Sequence, residues 1–273
     1  MKIPFLKAHG AKNDFLLTWA MEAPGGDPAE IARAICDRHT GVGADGWLLV
    51  ERSSDSTESD GSIRLINSDG SSAEISGNGT RCAAAFLIHH GVVSSGQVRI
   101  GTGAGVKHLR LLDRDGLCFT FEMNMGAPEI RAEHLALPLF GGSRDVTVVW
   151  VGNPQCAVPV NNFDFDWRAV GAEIESHPHF PGRTNVSFFR VLDENAIEVR
   201  FYERGAGETM SSGTGSTGAA VAAISQGRVR SPVTVHTPAG PLELRWNTQI
   251  TNDVYLIGPA EIVAEGIFHC AKM

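Results

Sequence analysis

The residues best suited to chemistry lie in one segment near the end of the chain. Glu203 and Arg204 open it, and Ser212 stands directly before a Gly-Thr-Gly sequence that runs into small residues. This pattern is typical of a helix start, whose free backbone N–H groups and positive dipole end bind anions. Glycine also lets a ligand approach the backbone closely. The segment predicts an anion site at Gly213 and Thr214, although a lone Gly-x-Gly also suits a simple strand-to-helix turn.

A second copy of this helix start lies upstream. Residues 76–79, Ser-Gly-Asn-Gly, align with residues 212–215, Ser-Gly-Thr-Gly, at an offset of about half the chain. The same offset places Asn67 opposite Glu203. A two-copy repeat at half length predicts two pseudo-symmetric lobes, each presenting one helix N-terminus to a shared cleft. Gly77 and Asn78 are then the first copy of the anion site.

The elements that position these residues also repeat. Asp27 as N-cap and Pro28 at the first helical position predict a helix over residues 28–38. Alternating apolar residues predict strands on both sides of it, and the pattern starts over near residue 120. We predict an N-terminal lobe over residues 1–118, to which residues 260–273 return, and a C-terminal lobe over residues 119–259.

Composition excludes several classes of function. The chain has 273 residues and a net charge of −8, and it lacks the Lys/Arg clusters that neutralise phosphates, which argues against nucleic acid as a partner. No apolar run is long enough to span a membrane, and no signal-peptide core follows Met1. The five cysteines are odd in number and lack metal-ligand spacing. They are Cys36, Cys82, Cys118, Cys156 and Cys270. We therefore expect a cytoplasmic protein without a bound metal.

Four asparagines lie at predicted junctions between strands and loops. They are Asn13, Asn67, Asn153 and Asn185. Each alone is typical of a turn. Together with Glu203 and Arg204, interpreted as a buried pair, they are able to hold the ammonium and carboxylate groups of an amino acid, the Arg bidentately. With a second carboxylate at the helix starts, the pattern predicts a small amino-acid ligand with two charged ends.

These motifs resemble those of the diaminopimelate epimerases over essentially the whole chain. The matching segments are residues 12–15, 41–46, 67–70, 77–82, 152–154, 184–186, 203–209 and 213–215. The resemblance implies an α+β fold of two lobes, each a curved, mostly antiparallel sheet or barrel wrapped around a central helix, with the active site between them. It also implies cofactor-free interconversion of LL- and meso-diaminopimelate, a step toward lysine and peptidoglycan, and is compatible with a homodimer.

The resemblance also assigns roles to residues. In the family, a cysteine at each helix N-terminus removes or returns the α-proton, and these positions are Ser76 and Ser212 here. Gln155 stands where the family has a His after Asn-Pro. The implied distal-end binding residues are Asn13, Asn67, Asn153, Asn185, Glu203 and Arg204. The implied contacts to the reacting α-carboxylate are Gly77, Asn78, Gly213 and Thr214.

Serine in place of cysteine changes the acid-base chemistry. A helix N-terminus lowers a thiol pKa from about 8.5 to roughly 3.5–7.5, whereas an aliphatic hydroxyl starts several units higher. Serine normally needs an adjacent base to act. Near Ser212 the sequence offers Glu203 and Glu208. If the two serines operate, Glu203 or a trapped water must relay the proton, and turnover is slow.

Two alternatives stand beside the epimerase. One is a diverged isomerase or dehydratase of the same superfamily acting on another amino acid, because an elimination needs a single base. The other is a protein that binds the amino acid without catalysis. Retention of every distal-end position favours diaminopimelate over a proline-like ligand, which has no use for Glu203, Arg204 and four asparagines together.

Overall fold

A computed structural model describes residues 2–53, 58–248 and 250–270, and its contacts divide the chain into two compact units. Unit 1 comprises the described residues up to Met123 and from Gly258 onward, and unit 2 is Asn124–Ile257. Residues 271–273 of the predicted returning segment lie outside the described residues. Among the described helices, none combines the length and apolar composition needed to cross a bilayer.

The strands and helices follow one another in the order given by their bounds. They are β1 (Lys2–Gly10), β2 (Asn13–Trp19), a 3-10 turn (Ala20–Glu22), α1 (Pro28–Cys36), β3 (Gly46–Arg52), β4 (Gly61–Asn67), β5 (Ser72–Ala73), α2 (Gly77–His89), β6 (Gln97–Thr102), β7 (Gly105–Asp115), β8 (Cys118–Gly126), β9 (Glu129–Leu137), β10 (Arg144–Trp150), β11 (Pro154–Pro159), α3 (Trp167–Glu175), β12 (Asn185–Asp193), β13 (Ala196–Glu203), β14 (Gly207–Thr209), α4 (Gly213–Ser225), β15 (Val233–Thr237), β16 (Gly240–Trp246) and β17 (Val254–His269).

Unit 1 is a barrel around helix α2. Strands β1 and β2 are antiparallel, β2 and β3 are parallel through α1, and β4 and β6 are parallel through α2. The remaining neighbours are antiparallel hairpins, and pairing of β17 with both β1 and β8 closes a ring of eight strands. Helix α2 packs against β1, β2, β4 and β6, and it is buried from Gly77 through Leu87. Its small residues let the surrounding strands approach closely.

Unit 2 repeats this order of elements. Strands β11 and β12 are parallel through α3, β13 and β15 are parallel through α4, and the other neighbours are antiparallel. Helix α4 packs against β10, β11, β12 and β16, and it is buried from Gly213 through Ala223. A helix that is apolar all round belongs at the centre of a core. The predicted α+β class, with a curved sheet around a central helix, is confirmed.

Close packing of α4 makes Gly218 a sensitive position. A Cβ added there lies 2.8 Å from the Gln155 Cβ, closer than side chains approach one another. Overpacking of this kind costs about 1–3 kcal/mol, partly offset by the better helix propensity of alanine. We expect Gly218→Ala to lower the free energy of unfolding in urea by about 1 kcal/mol. Gly182→Ala, whose added Cβ has no atom within 4 Å, is the control. An unchanged urea midpoint for Gly218→Ala contradicts the prediction.

Candidate active site

Ser212 is the N-cap of helix α4 and also a hydrogen-bond donor to a carboxylate. Its backbone is extended, at φ −139° and ψ 121°, and its Oγ accepts a hydrogen bond from the Gly215 N–H at 3.1 Å. This is ordinary N-cap geometry, which serine favours. The Ser212 hydroxyl donates to Glu203 Oε1 at 2.6 Å, and the residue is only 5% exposed. A buried hydroxyl proton is therefore directed at a proton acceptor.

Glu203 is held in place from both sides. It is the last residue of β13, and pairing of β13 with β14 brings Thr209 back toward it. The Thr209 hydroxyl donates to Glu203 Oε2 at 2.9 Å, so each carboxylate oxygen accepts one hydroxyl proton. Burial raises the pKa of Glu203, and the hydrogen bonds from Ser212 and Thr209 only partly offset this effect. Glu203 is consequently a stronger base than an ordinary carboxylate.

The raised pKa of Glu203 has a cost in stability. Since the folded protein binds this proton more readily than the unfolded chain, stability falls as pH rises from the ordinary pKa of 4.5 through the folded value. Uncharged Gln avoids that loss, so we expect Glu203→Gln to raise the melting temperature at pH 7. The difference should vanish below pH 4.5, where both states are protonated. Exposed Glu208→Gln is the matched control, and a lower melting temperature for Glu203→Gln at pH 7 contradicts the prediction.

The first turn of α4 is tied to the loop before β11 by amide groups. Gln155 Nε2 donates to Asn153 Oδ1 at 2.7 Å and to Thr214 Oγ1 at 3.1 Å, and Asn153 Nδ2 donates to Thr214 Oγ1 at 3.3 Å. Gln155 is fully buried, and its Oε1 has no hydrogen-bond partner among the residues that the structure describes. The structure therefore brings Asn153, Gln155 and Thr214 together. As a neutral amide, Gln155 does not act as a general base.

The side chain of Asn185 is hydrogen-bonded to the backbone N–H of Arg204. Asn185 Nδ2 donates to the Pro154 carbonyl at 3.1 Å, and its Oδ1 accepts from the Arg204 N–H at 2.9 Å. The Arg204 side chain donates to the Gly182 carbonyl at 3.2 Å and is exposed. The interpretation of Glu203 and Arg204 as a buried pair is thus wrong for Arg204. Strand β13 ends at Glu203, and the following turn lies at the surface of unit 2.

Ser76 caps helix α2 with nearly the same geometry as Ser212. Its φ is −129° and its ψ is 121°, and its Oγ accepts from the Gly79 N–H at 3.1 Å. Within the described part of the chain, however, no carboxylate or imidazole is hydrogen-bonded to the Ser76 hydroxyl. Asn67, which the repeat places opposite Glu203, instead donates to Ser71 Oγ within its own hairpin at 3.0 Å. Each serine caps its own helix in the same way, but only Ser212 is described with a hydrogen bond to a carboxylate.

A chain of hydrogen bonds runs from the start of α2 to the end of β1. Arg81 Nη2 donates to Asn78 Oδ1 at 2.6 Å, and Asn78 Nδ2 donates to Asn13 Oδ1 at 3.2 Å. Asn13 Nδ2 in turn donates to Asp45 Oδ2 at 2.6 Å. Arg81 is fully buried, and burial lowers its pKa to about 10. The amides of Asn13 and Asn78 are therefore fixed in orientation by charged neighbours.

The charged end of this chain is an ion-pair cluster. Arg38 Nη2 lies 2.7 Å from both Asp14 Oδ1 and Asp45 Oδ1, and Lys7 Nζ lies 3.1 Å from Asp14 Oδ2. Burial alone would raise the pKa of Asp14, but Arg38 and Lys7 outweigh it and hold that pKa below the ordinary value. A carboxylate with a lowered pKa is a weak base. The cluster therefore anchors Asn13 through Asp45, and its Asp14 carboxylate is a poor proton acceptor.

The buried cysteines do not replace the two missing thiols. Cys82 is fully buried within α2, and burial raises its pKa to about 12. Burial also raises the pKa of Cys156. Neither thiol ionises near neutral pH. In the described part of the chain, no group of three His, Cys, Asp or Glu side chains is arranged to hold a metal ion.

The sequence analysis identified Glu203 and Ser212, but it missed three residues that fix the orientation of other side chains in the candidate site. Thr209 fixes the Glu203 carboxylate, Asp45 fixes Asn13, and Arg81 fixes Asn78. All three residues lie within segments that match the family motifs, residues 41–46, 77–82 and 203–209, and this position was the one indication of their role in the sequence. Their partners depend on strand pairing, which spacing alone does not reveal.

Comparison with known proteins gives matches along the whole chain. The diaminopimelate epimerase family profile matches residues 5–130 and 147–263. A diaminopimelate epimerase from Pelotomaculum thermopropionicum is 39% identical over 277 residues, covering 96% of this chain and 97% of that protein. A diaminopimelate epimerase from Moorella thermoacetica is 39% identical over 280 residues, covering 97% of this chain and 98% of that protein. Among solved structures, a hydroxyproline epimerase from Agrobacterium vitis has a TM-score of 0.74 at 15% identity, covering 97% of this chain and 92% of that protein. This last likeness concerns the fold alone.

Proposed function

Because the chain belongs to the diaminopimelate epimerase family, we propose that it interconverts LL- and meso-diaminopimelate by proton transfer at the α-carbon, without a cofactor. Family membership also places it among the isomerases, in the class of amino-acid epimerases and racemases. The observation that carries the proposal is the hydrogen bond from Ser212 to Glu203, because it joins the family's proton-transfer position to a base.

In the proposed reaction, Ser212 and Glu203 act as one unit. As the substrate Cα–H bond breaks, its proton passes to Ser212 Oγ, and the Ser212 proton passes to Glu203 Oε1. The raised pKa of Glu203 favours this transfer. The hydroxyl itself never carries a full negative charge, which removes the main difficulty of replacing a thiol by a serine.

Negative charge that develops on the substrate needs stabilisation. The first N–H groups of α4, at Gly213 and Thr214, and those of α2, at Gly77 and Asn78, have no partner within their helices. We assign them to the α-carboxylate, onto which the carbanion charge delocalises. Fixed backbone dipoles in a buried setting stabilise such charge strongly. Burial of the first turn of each helix supports this assignment.

The distal end of the substrate requires donors for a carboxylate and acceptors for an ammonium group. Arg204 is exposed, and a guanidinium has five N–H donors, of which the Gly182 carbonyl accepts one. We assign its remaining donors to the distal carboxylate. The assigned side-chain amides are those of Asn13, Asn67, Asn153 and Asn185. Asn13 and Asn185 are already oriented by their neighbours, which lowers the entropy cost of binding.

The test is incubation with LL-diaminopimelate in D2O, followed by NMR of the α-proton and chiral separation of the isomers. Deuterium incorporation with formation of the meso isomer supports the proposal. Calorimetric binding without exchange identifies an amino-acid-binding protein that lacks catalysis. Absence of binding, together with turnover of another amino acid such as hydroxyproline, identifies a diverged isomerase and overturns the proposal.

A further inference from the structure

We infer that the two proton-transfer positions are unequal, so that α-proton exchange with retention of configuration is faster than inversion. The inference rests on the proposed function and deepens it. Ser212 is hydrogen-bonded to its own base, whereas no carboxylate or imidazole of the described residues is hydrogen-bonded to Ser76, the second position of the family pattern. The protein is then an efficient exchange catalyst for one stereoisomer and a slow epimerase.

The first support is the matched geometry of the two caps. Both serines have extended backbones that agree within about ten degrees in φ, and both accept from the N–H three residues later at 3.1 Å. Ser76 is half-buried and Ser212 is buried, and the two hydroxyl groups differ in the acceptor of their proton. Ser212 donates to Glu203 at 2.6 Å, while the one side-chain hydrogen bond described for Ser76 is the cap itself.

The second support is that the two sequence positions that could have supplied a further base, the repeat counterpart of Glu203 and the position of the family's His, both carry amides. Asn67, opposite Glu203 in the repeat, donates its amide to Ser71. Gln155, which replaces the family's His, donates its amide to Asn153 and Thr214 within unit 2. An amide does not accept a proton near neutral pH. Neither side chain is therefore a general base.

Exchange with retention and inversion of configuration require different proton transfers. In exchange, the α-proton moves to Ser212 and the Ser212 proton moves to Glu203, which releases it to solvent; reversal delivers a solvent proton to the same face. Inversion requires Ser76 to donate its hydroxyl proton to the carbanion, which leaves an alkoxide until water protonates it. In the reverse direction Ser76 must remove a proton without a base. A positioned base contributes about 10²–10⁴-fold, so inversion is the slow step.

The decisive measurement is the isotope content of both isomers at early times. LL- and meso-diaminopimelate are incubated separately in D2O, and deuterium is measured by mass spectrometry in recovered substrate and in product. For one of the two isomers we expect deuterium in recovered substrate to exceed inverted product by at least about tenfold. Deuterium confined to inverted product overturns the inference and leaves the proposed function standing. If neither isomer incorporates deuterium, in recovered substrate or in product, both this inference and the proposed function are wrong.

Cysteine variants test whether the Ser76 position is what makes inversion slower than exchange. Ser76→Cys supplies a thiol that ionises without a neighbouring carboxylate, so inversion should rise at least tenfold and the ratio of exchange to inversion should approach one. Ser212→Cys should leave that ratio well above one. Ser94→Cys, at an exposed serine after α2, controls for the added thiol. If Ser76→Cys leaves the ratio unchanged while circular dichroism shows a native fold, the inference is wrong.

Discussion

Replacing Glu203 by Gln should lower the rate of α-proton exchange by about 10²–10⁴-fold, the usual contribution of a positioned general base. Ser212 Oγ lies 2.6 Å from the Glu203 carboxylate, so loss of the charge removes the acceptor for its proton. The Gln side chain keeps the size of Glu and can still accept from Thr209. The measurement is deuterium exchange into whichever of LL- and meso-diaminopimelate the unaltered protein exchanges faster, with calorimetry to establish that the substrate still binds.

The pH dependence of the same reaction gives an independent check. Glu203 works as a base only when ionised, and burial raises its pKa, so on acidification exchange should begin to decline at a higher pH than for an ordinary carboxylate. Glu208→Gln is the control, because Glu208 is exposed and paired with Arg168 outside the Ser212 contact. Glu203→Gln with near-normal exchange, or a Glu208→Gln variant that fails equally, would show that Ser212 uses another proton acceptor.

Replacing Ser76 and Ser212 together by Cys should raise the rate of epimerisation by about 100-fold or more. Each substituted residue is an N-cap, where the helix dipole lowers a thiol pKa toward neutrality. Two thiols are able to remove and return the proton on either face without an alkoxide. Cysteine is also close to serine in size, so the buried Ser212 site accommodates the change with little repacking.

The double variant is measured by the rate of conversion of LL- to meso-diaminopimelate, with thiol pKa values from the pH dependence of alkylation. Adding Gln155→His to the double variant tests whether the family's imidazole increases the rate further. A double variant that alkylates readily yet converts substrate no faster than the parent would show that the binding half of the site, and not the missing thiols, limits turnover.

Local features of the site followed directly from the sequence. Ser76 and Ser212 precede glycine-rich turns and small-residue runs, and both prove to be N-caps of buried helices. Such features are predictable because a cap involves groups only three residues apart. The repeat followed as well, since helix starts recur at half the chain length, and the family resemblance implied the α+β class. Glu203 was identified as a candidate base from its closeness to Ser212.

Only the tertiary structure decided how these groups are used. Pairing of β13 with β14 turns Thr209 onto Glu203 and leaves Arg204 exposed, against the expectation of a buried pair. Packing of α2 inside its barrel orients Asn13 through Asn78 and Asp45, which lie 65 and 32 positions away in sequence. Burial and long-range contacts set the pKa of each group and the acceptor of each proton. Sequence patterns report the type of side chain at a position, whereas basicity depends on the solvent and charges that the fold places around it.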